Sequence, residues 1–201
     1  MSNDLRELNL LIKQEADEIL YRKGLVDILS PFGKPHVHGS YSLDLMTWRD
    51  LDIYLEADTL SETEFFAIGE HICKAFSPVK MSFRNERKAK TPGLPNGLYW
   101  GIYLGNERAG AWKIDIWTVS AMECHRLLKY GDSIKQKLDE EAIQRILEIK
   151  SACWNDAGYR RSYSSSDIYT AVLEEKVASV EEFRKYVATV KVAIQRVLMA
   201  G

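Results

Sequence analysis

The stretch HGSYSLDLMTWRDLDIYLE, His38 to Glu56, decides how this chain is read. Its second half, Asp50 to Glu56, alternates polar with apolar residues at strand period. Leu51, Ile53 and Leu55 fall on one face, and Asp50, Asp52, Tyr54 and Glu56 on the other. The apolar set must face the core, because a slip of one residue would bury the acids. The two aspartates therefore stand side by side, with α-carbons about 6–7 Å apart at a rise of ~3.3 Å per residue. Upstream, Gly39 and Ser40 form a small-residue bend where backbone can approach a ligand closely. Between bend and strand, SLDLMTW reads as a short helix whose first amides face an anion.

A second strand repeats the pattern. In AWKIDIWTV, Trp112, Ile114 and Ile116 make a buried face and leave Lys113, Asp115 and Trp117 opposite. Paired beside the first strand, it adds Asp115 as a third carboxylate and Lys113 as a nearby cation. Three carboxylates with no neighbouring imidazole or thiolate suit Mg²⁺, which takes oxygen ligands and keeps substrate phosphates in its shell. Without a cation the acids repel one another; a metal, or a base such as Arg49, relieves that. Metal on one side and loop amides on the other are the requirements of phosphoryl or nucleotidyl transfer.

Gly39-Ser40, then nine residues, then Asp50-Leu51-Asp52-Ile53, then Ile114-Asp115-Ile116 on a later strand resembles the nucleotidyltransferase superfamily related to DNA polymerase beta. The resemblance covers about residues 36–119 and is greatest to small-molecule, antibiotic and minimal nucleotidyltransferases. It implies that Gly39 and Ser40 hold the triphosphate, with Arg49 and Lys113 as further nucleotide contacts. It also implies that Asp50, Asp52 and Asp115 bind a pair of Mg²⁺ ions and that Asp115 activates the acceptor. The implied reaction moves a nucleoside monophosphate, such as AMP, from an NTP to a hydroxyl of a small molecule and releases pyrophosphate. Many relatives carry an arginine shortly after Gly-Ser, whereas this chain reads Gly39-Ser40-Tyr41-Ser42-Leu43-Asp44. That departure motivates one alternative, a non-catalytic, antitoxin-like binding module of the same fold; a further alternative is nucleotidylation of RNA or protein.

The remaining chain is consistent with a mixed α/β core followed by helices. Apolar residues from Leu5 to Leu20 recur at helical spacing, and Ser61 with Glu64 forms a capping box before a helix to Phe76. VKMSFRNE, GLYWGIYLG and AWKIDIWTV read as three strands. Helices are expected over about 121–130, 133–152, 167–177 and 180–199, with Ser179 and Glu182 as a second capping box. The expected division is a nucleotidyltransferase-like core over 1–120 and a helical segment over 121–201 for acceptor binding or oligomerisation. The basic run Arg84, Arg87, Lys88 and Lys90 reads as a solvated loop; His36 and His38 have the form of an HxH metal pair, but such residues are more often hydrogen-bonded strand neighbours, and both are left unassigned.

The chain's 201 residues carry a net charge of −2, from 27 basic and 29 acidic side chains. That balance disfavours a long nucleic acid as partner. Cys73, Cys124 and Cys153 are widely spaced and form no CxxC pair, so their spacing argues against a zinc or disulfide framework and for thiols in a reducing compartment. No apolar run approaches ~18 residues and the start lacks a signal-peptide core, so a cytoplasmic, membrane-free protein is expected.

Overall fold

The computed structural model describes residues 2–199, with side chains from residue 4 to residue 189. In chain order it contains α1 (Ser2–Asp17), extended by a π-helical turn Glu18–Arg22, then α2 (Leu25–Leu29), β1 (Lys34–His38), β2 (Asp50–Glu56) and α3 (Glu62–Phe76). There follow β3 (Lys80–Asn85), the single turn α4 (Glu86–Ala89), β4 (Leu98–Tyr103), β5 (Lys113–Val119), α5 (Ala121–Lys135), α6 (Glu140–Cys153), α7 (Ser165–Leu173) and α8 (Val180–Met199). Two compact units result. One runs from Asn9 to Ser133; the other joins the chain through Leu8 to the chain from Ile134 onward.

The first unit is built on a five-stranded mixed sheet in the order β1-β2-β5-β4-β3. β2 and β5 are parallel and the other neighbours antiparallel. The parallel pair requires a crossover, which α3 and the β3–β4 hairpin supply. The burial of β2 alternates as its sequence predicts, with Leu51, Ile53 and Leu55 sealed and the acids partly exposed. The same sheet face carries Ile116 and Trp100 and meets Phe65, Ile68 and Ile72 of α3. Trp100 stacks on Phe65 at 5.9 Å between ring centroids and donates its indole N–H to the Phe65 carbonyl at 3.0 Å. Phe66 and Phe83 close the cluster at 5.2 and 5.4 Å from Trp100. Each large apolar side chain buried there contributes roughly 1.5–3 kcal/mol. The helix start is fixed by the expected box: Glu64 N–H donates to Ser61 Oγ at 3.2 Å, and Ser61 N–H to the Glu64 carboxylate at 2.8 Å.

The second unit packs α6, α7 and α8 around Ile146, Leu147, Ile149, Ile168, Val172 and Phe183. α7 starts two residues before the expected 167 because Ser164 and Asp167 form their own capping box. At α8, Glu182 N–H donates to Ser179 Oγ at 3.2 Å, while the Glu182 carboxylate accepts from Ala178 N–H rather than Ser179 N–H. Lys150 is fully buried, its ammonium 3.2 Å from the Tyr169 hydroxyl. Among the described residues no helix is long and apolar enough to cross a membrane.

Candidate metal and nucleotide site

On the sheet face opposite the aromatic cluster, the parallel register sets Asp52 directly across from Asp115 and Asp50 across from Lys113. Strand spacing of about 4.8 Å and two-residue spacing of about 6.6 Å then place three carboxylates on one small patch. β1 adds His38 across from Asp52, and Gly39 follows at once. Gly39 has φ +66, and a Cβ there would lie 2.5 Å from Asp52 Oδ2. Glycine is therefore required twice, for the left-handed backbone and for contact between loop and carboxylate.

The bend itself differs from the short helix expected over SLDLMTW. Residues 39–44 form consecutive hydrogen-bonded turns, with Leu43 N–H to the Gly39 carbonyl at 3.2 Å and Leu45 N–H to the Ser40 carbonyl at 2.9 Å. Asp44 stops propagation by adopting φ +59, a left-handed state that aspartate tolerates better than most residues. Tyr41 OH donates to Asp17 at 2.6 Å and Met46 N–H to Asn9 Oδ1 at 2.7 Å, so the loop is pinned to α1 from both ends.

Charge at the patch is partly balanced from within the sheet. The Lys113 ammonium hydrogen-bonds Asp115 and lies 3.8 Å from Asp50 Oδ1. Tyr99 OH donates to Asp115 Oδ1 at 2.7 Å. Gly101, the direct partner of Asp115 on β4, leaves the space into which that hydroxyl projects. Burial nevertheless holds the Asp115 carboxyl above the usual carboxylate range, with Asp50 adding to the rise and Lys113 and Tyr99 opposing it. Tyr99 is pushed up by burial and then by the Asp115 charge, so it remains a donor. Three acids facing one ammonium, with a raised carboxyl among them, form an electrostatic deficit that a hard divalent cation fills. The donor set is all oxygen, and the chemistry of these residues fits Mg²⁺ with a polyphosphate.

His38 stacks on Tyr54 with ring centroids 3.5 Å apart. Burial, aided by the His36 charge, pushes its pKa down to about 3, so it faces Asp52 as a neutral ring.

The other expected contacts are placed less directly. Arg49 makes two hydrogen bonds to Glu15, at 2.5 and 2.6 Å, and reaches the Gly110 carbonyl at 3.4 Å. Trp112 Nε1 donates to the same Glu15 at 3.2 Å, so Arg49 clamps the start of β2 and β5 to α1. A phosphate would have to win its guanidinium from Glu15. In the basic run, Arg84 pairs with Glu86 at 2.9 Å, Arg87 donates to the Leu60 carbonyl at 2.7 Å and Lys88 pairs with Glu62 at 2.7 Å. Three of the four basic residues are thus held locally. Tyr99 and His38 were not singled out by sequence reasoning as site residues; strand parity marks both as facing one side, but only the sheet register brings them to the acids.

No protein-family model and no curated protein matches this chain. Solved structures do. A cytoplasmic RNA terminal U-transferase aligns over 85% of this chain and 54% of its own, at 15% identity and a TM-score of 0.53. Cid1, described as an RNA terminal uridylyl transferase, aligns over 85% and 52% at 17% identity and a TM-score of 0.52. The GLD-2/RNP-8 complex contributes a chain that aligns over 86% and 64% at 12% identity and a TM-score of 0.52. This chain thus spans between half and two thirds of the length of those proteins. At such identities the likeness is one of fold: this chain shares the fold of the corresponding part of those three proteins.

Proposed function

We propose that the protein is a Mg²⁺-dependent nucleotidyltransferase. The observation that carries this reading is the registered pair Asp52 and Asp115 beside Gly39, with Asp50 on the same face. Asp50, Asp52 and Asp115 would hold the metal, which neutralises the triphosphate and the charge developing on it. The amides of the Gly39–Ser40 bend, and Lys113, bind phosphate oxygens. An acceptor hydroxyl oxygen bonds to the α-phosphorus, the bond to the bridging oxygen breaks, and pyrophosphate leaves with the electron pair. The hydroxyl proton passes to the Asp115 carboxylate, which stands in register beside Asp52.

The acceptor we favour is a terminal hydroxyl of an RNA, because solved structures of similar fold are described as RNA terminal transferases. The net charge of −2 supports a second reading, transfer to a hydroxyl of a small molecule. We assign acceptor selection to the helical segment 121–201 and the activity to the cytoplasm, where free thiols such as Cys73 and Cys153 persist. Incubation with labelled NTPs and Mg²⁺, in parallel with short RNAs and a panel of small hydroxyl compounds, tests the reaction and its acceptor. Label on RNA supports the first reading and label on a small molecule the second. Absence of both pyrophosphate release and NTP binding refutes the enzyme and favours the non-catalytic, antitoxin-like module.

A further inference from the structure

The widely spaced cysteines argue against a zinc framework when read along the chain, yet the fold gathers one of them into a mixed donor cluster. His36 on β1, Glu56 at the end of β2 and Cys124 in the first turn of α5 present Nε2, a carboxylate oxygen and Sγ within 4.8 Å of one another. His36 Nε2 lies 2.8 Å from Glu56 Oε2. The side chains of His36 and Glu56 are 18% and 32% exposed, and Cys124 is 1% exposed. The cluster shares the face of Asp52: Glu56 lies four residues further along β2, about 13 Å, and His36 is across from Tyr54, two residues further. None of its members belongs to the proposed transfer site.

Three features make it more than an ion pair above a buried thiol. The backbone around it is fixed: Cys124 N–H donates to the Ser120 carbonyl at 2.8 Å, Ala57 N–H to the Val119 carbonyl at 2.9 Å and Ala121 N–H to Asp58 Oδ1 at 3.0 Å. Register explains the convergence, since Glu56 pairs directly with Lys34 and reaches His36 diagonally, as neighbours on one face do. The spacing also suits an ion: bonds of 2.0–2.3 Å at tetrahedral angles separate ligand atoms by roughly 3.3–3.6 Å. The imidazole and carboxylate, 2.8 Å apart, need part only slightly, and the thiol already lies within 4.8 Å of both.

We infer that His36, Glu56 and Cys124 are three protein ligands for one Zn²⁺, with the fourth position taken by water. A nitrogen, oxygen and sulfur set selects a borderline-soft ion and discriminates against the Mg²⁺ of the acid patch. Burial and the Glu56 charge push the Cys124 thiol up to about 11, so metal binding must expel its proton to solvent as the sulfur–metal bond forms. The ion would tie the start of α5 to β1 and β2.

Co²⁺ serves as the probe, added to chelator-treated full-length protein. One equivalent is expected to produce the near-ultraviolet charge-transfer band of a cobalt thiolate and the visible bands of a four-coordinate ion. Zn²⁺ should bleach both and raise Tm. Asp115→Asn should keep the cobalt thiolate band of wild type, which separates this site from the acid patch and from any failure of the transferase reading. Cys124→Ser should lose the band. It and His36→Gln should each weaken Zn²⁺ by more than the roughly 10–100-fold that loss of an outer-shell partner costs. A wild-type Co²⁺ spectrum without a thiolate band overturns the assignment, even where both variants fail to fold. So does Zn²⁺ binding that neither substitution changes, which would leave only a His–Glu pair over a thiol.

Discussion

Gly39→Ala separates the site from the fold it stands on. The residue has φ +66, and a methyl group there would meet Asp52 Oδ2 at 2.5 Å. A left-handed conformation costs a non-glycine residue about 1–2 kcal/mol. In a chain of this size that lowers Tm by about 2–8 °C. The clash acts separately, because ordinary contact begins at 3.4 Å and Asp52 must retreat by about 0.9 Å. A displacement of that size at a reacting centre costs on the order of 100-fold in rate, equivalent to about 2.7 kcal/mol. Gly93→Ala is the control: φ is +83 and a Cβ there meets nothing within 4 Å. Thermal melts of the two variants should fall together, whereas NTP turnover, and Mn²⁺ binding by electron paramagnetic resonance, should fall only in Gly39→Ala. Equal turnover in both would show that the bend does not position Asp52 for chemistry.

Tyr99→Phe removes a hydrogen bond that lowers the Asp115 pKa, so the acidic limb of the pH–rate profile should move to higher pH while the melt changes little. Glu15→Gln tests the Arg49 clamp. The Arg49 hydrogen bond holds Glu15 below the usual carboxylate range, so its contribution is present at neutral pH and lost as pH falls through the depressed value. The urea-midpoint gap between wild type and Glu15→Gln should therefore close in acid and stay under about 1 kcal/mol at neutrality, because the pair is partly solvated. Trp100→Ala opens the aromatic cluster beneath the sheet and should cost about 3–5 kcal/mol by urea denaturation.

Much of this was legible in the sequence because strand alternation is local. Leu51, Ile53 and Leu55 announce which way Asp50 and Asp52 point, and Ile114 and Ile116 do the same for Asp115. That Asp52 and Asp115 are register partners is a tertiary fact, and so are the hydroxyl that Tyr99 brings to Asp115 and the ring that His38 lays on Tyr54. Where neighbours decide, propensity misleads. SLDLMTW has helical composition, but tethers to Asp17 and Asn9 and the left-handed Asp44 hold it in turns. Arg49 looks like a phosphate ligand in sequence and is engaged by Glu15, 34 positions away. Glu86, within a basic run, is almost completely buried and caps Thr91 N–H at 2.9 Å. Cys124 carries no spacing signal because its neighbours in space come from β1 and β2.

The most direct test of the account is metal-dependent nucleotide binding at the three acids. Titration with a non-hydrolysable NTP, with and without Mg²⁺, should show binding that requires the metal in wild type and is lost in Asp52→Asn and Asp115→Asn variants that melt as folded proteins. NTP binding of equal strength without Mg²⁺, or unchanged by both substitutions, would contradict the claim that Asp50, Asp52 and Asp115 form a metal and polyphosphate site.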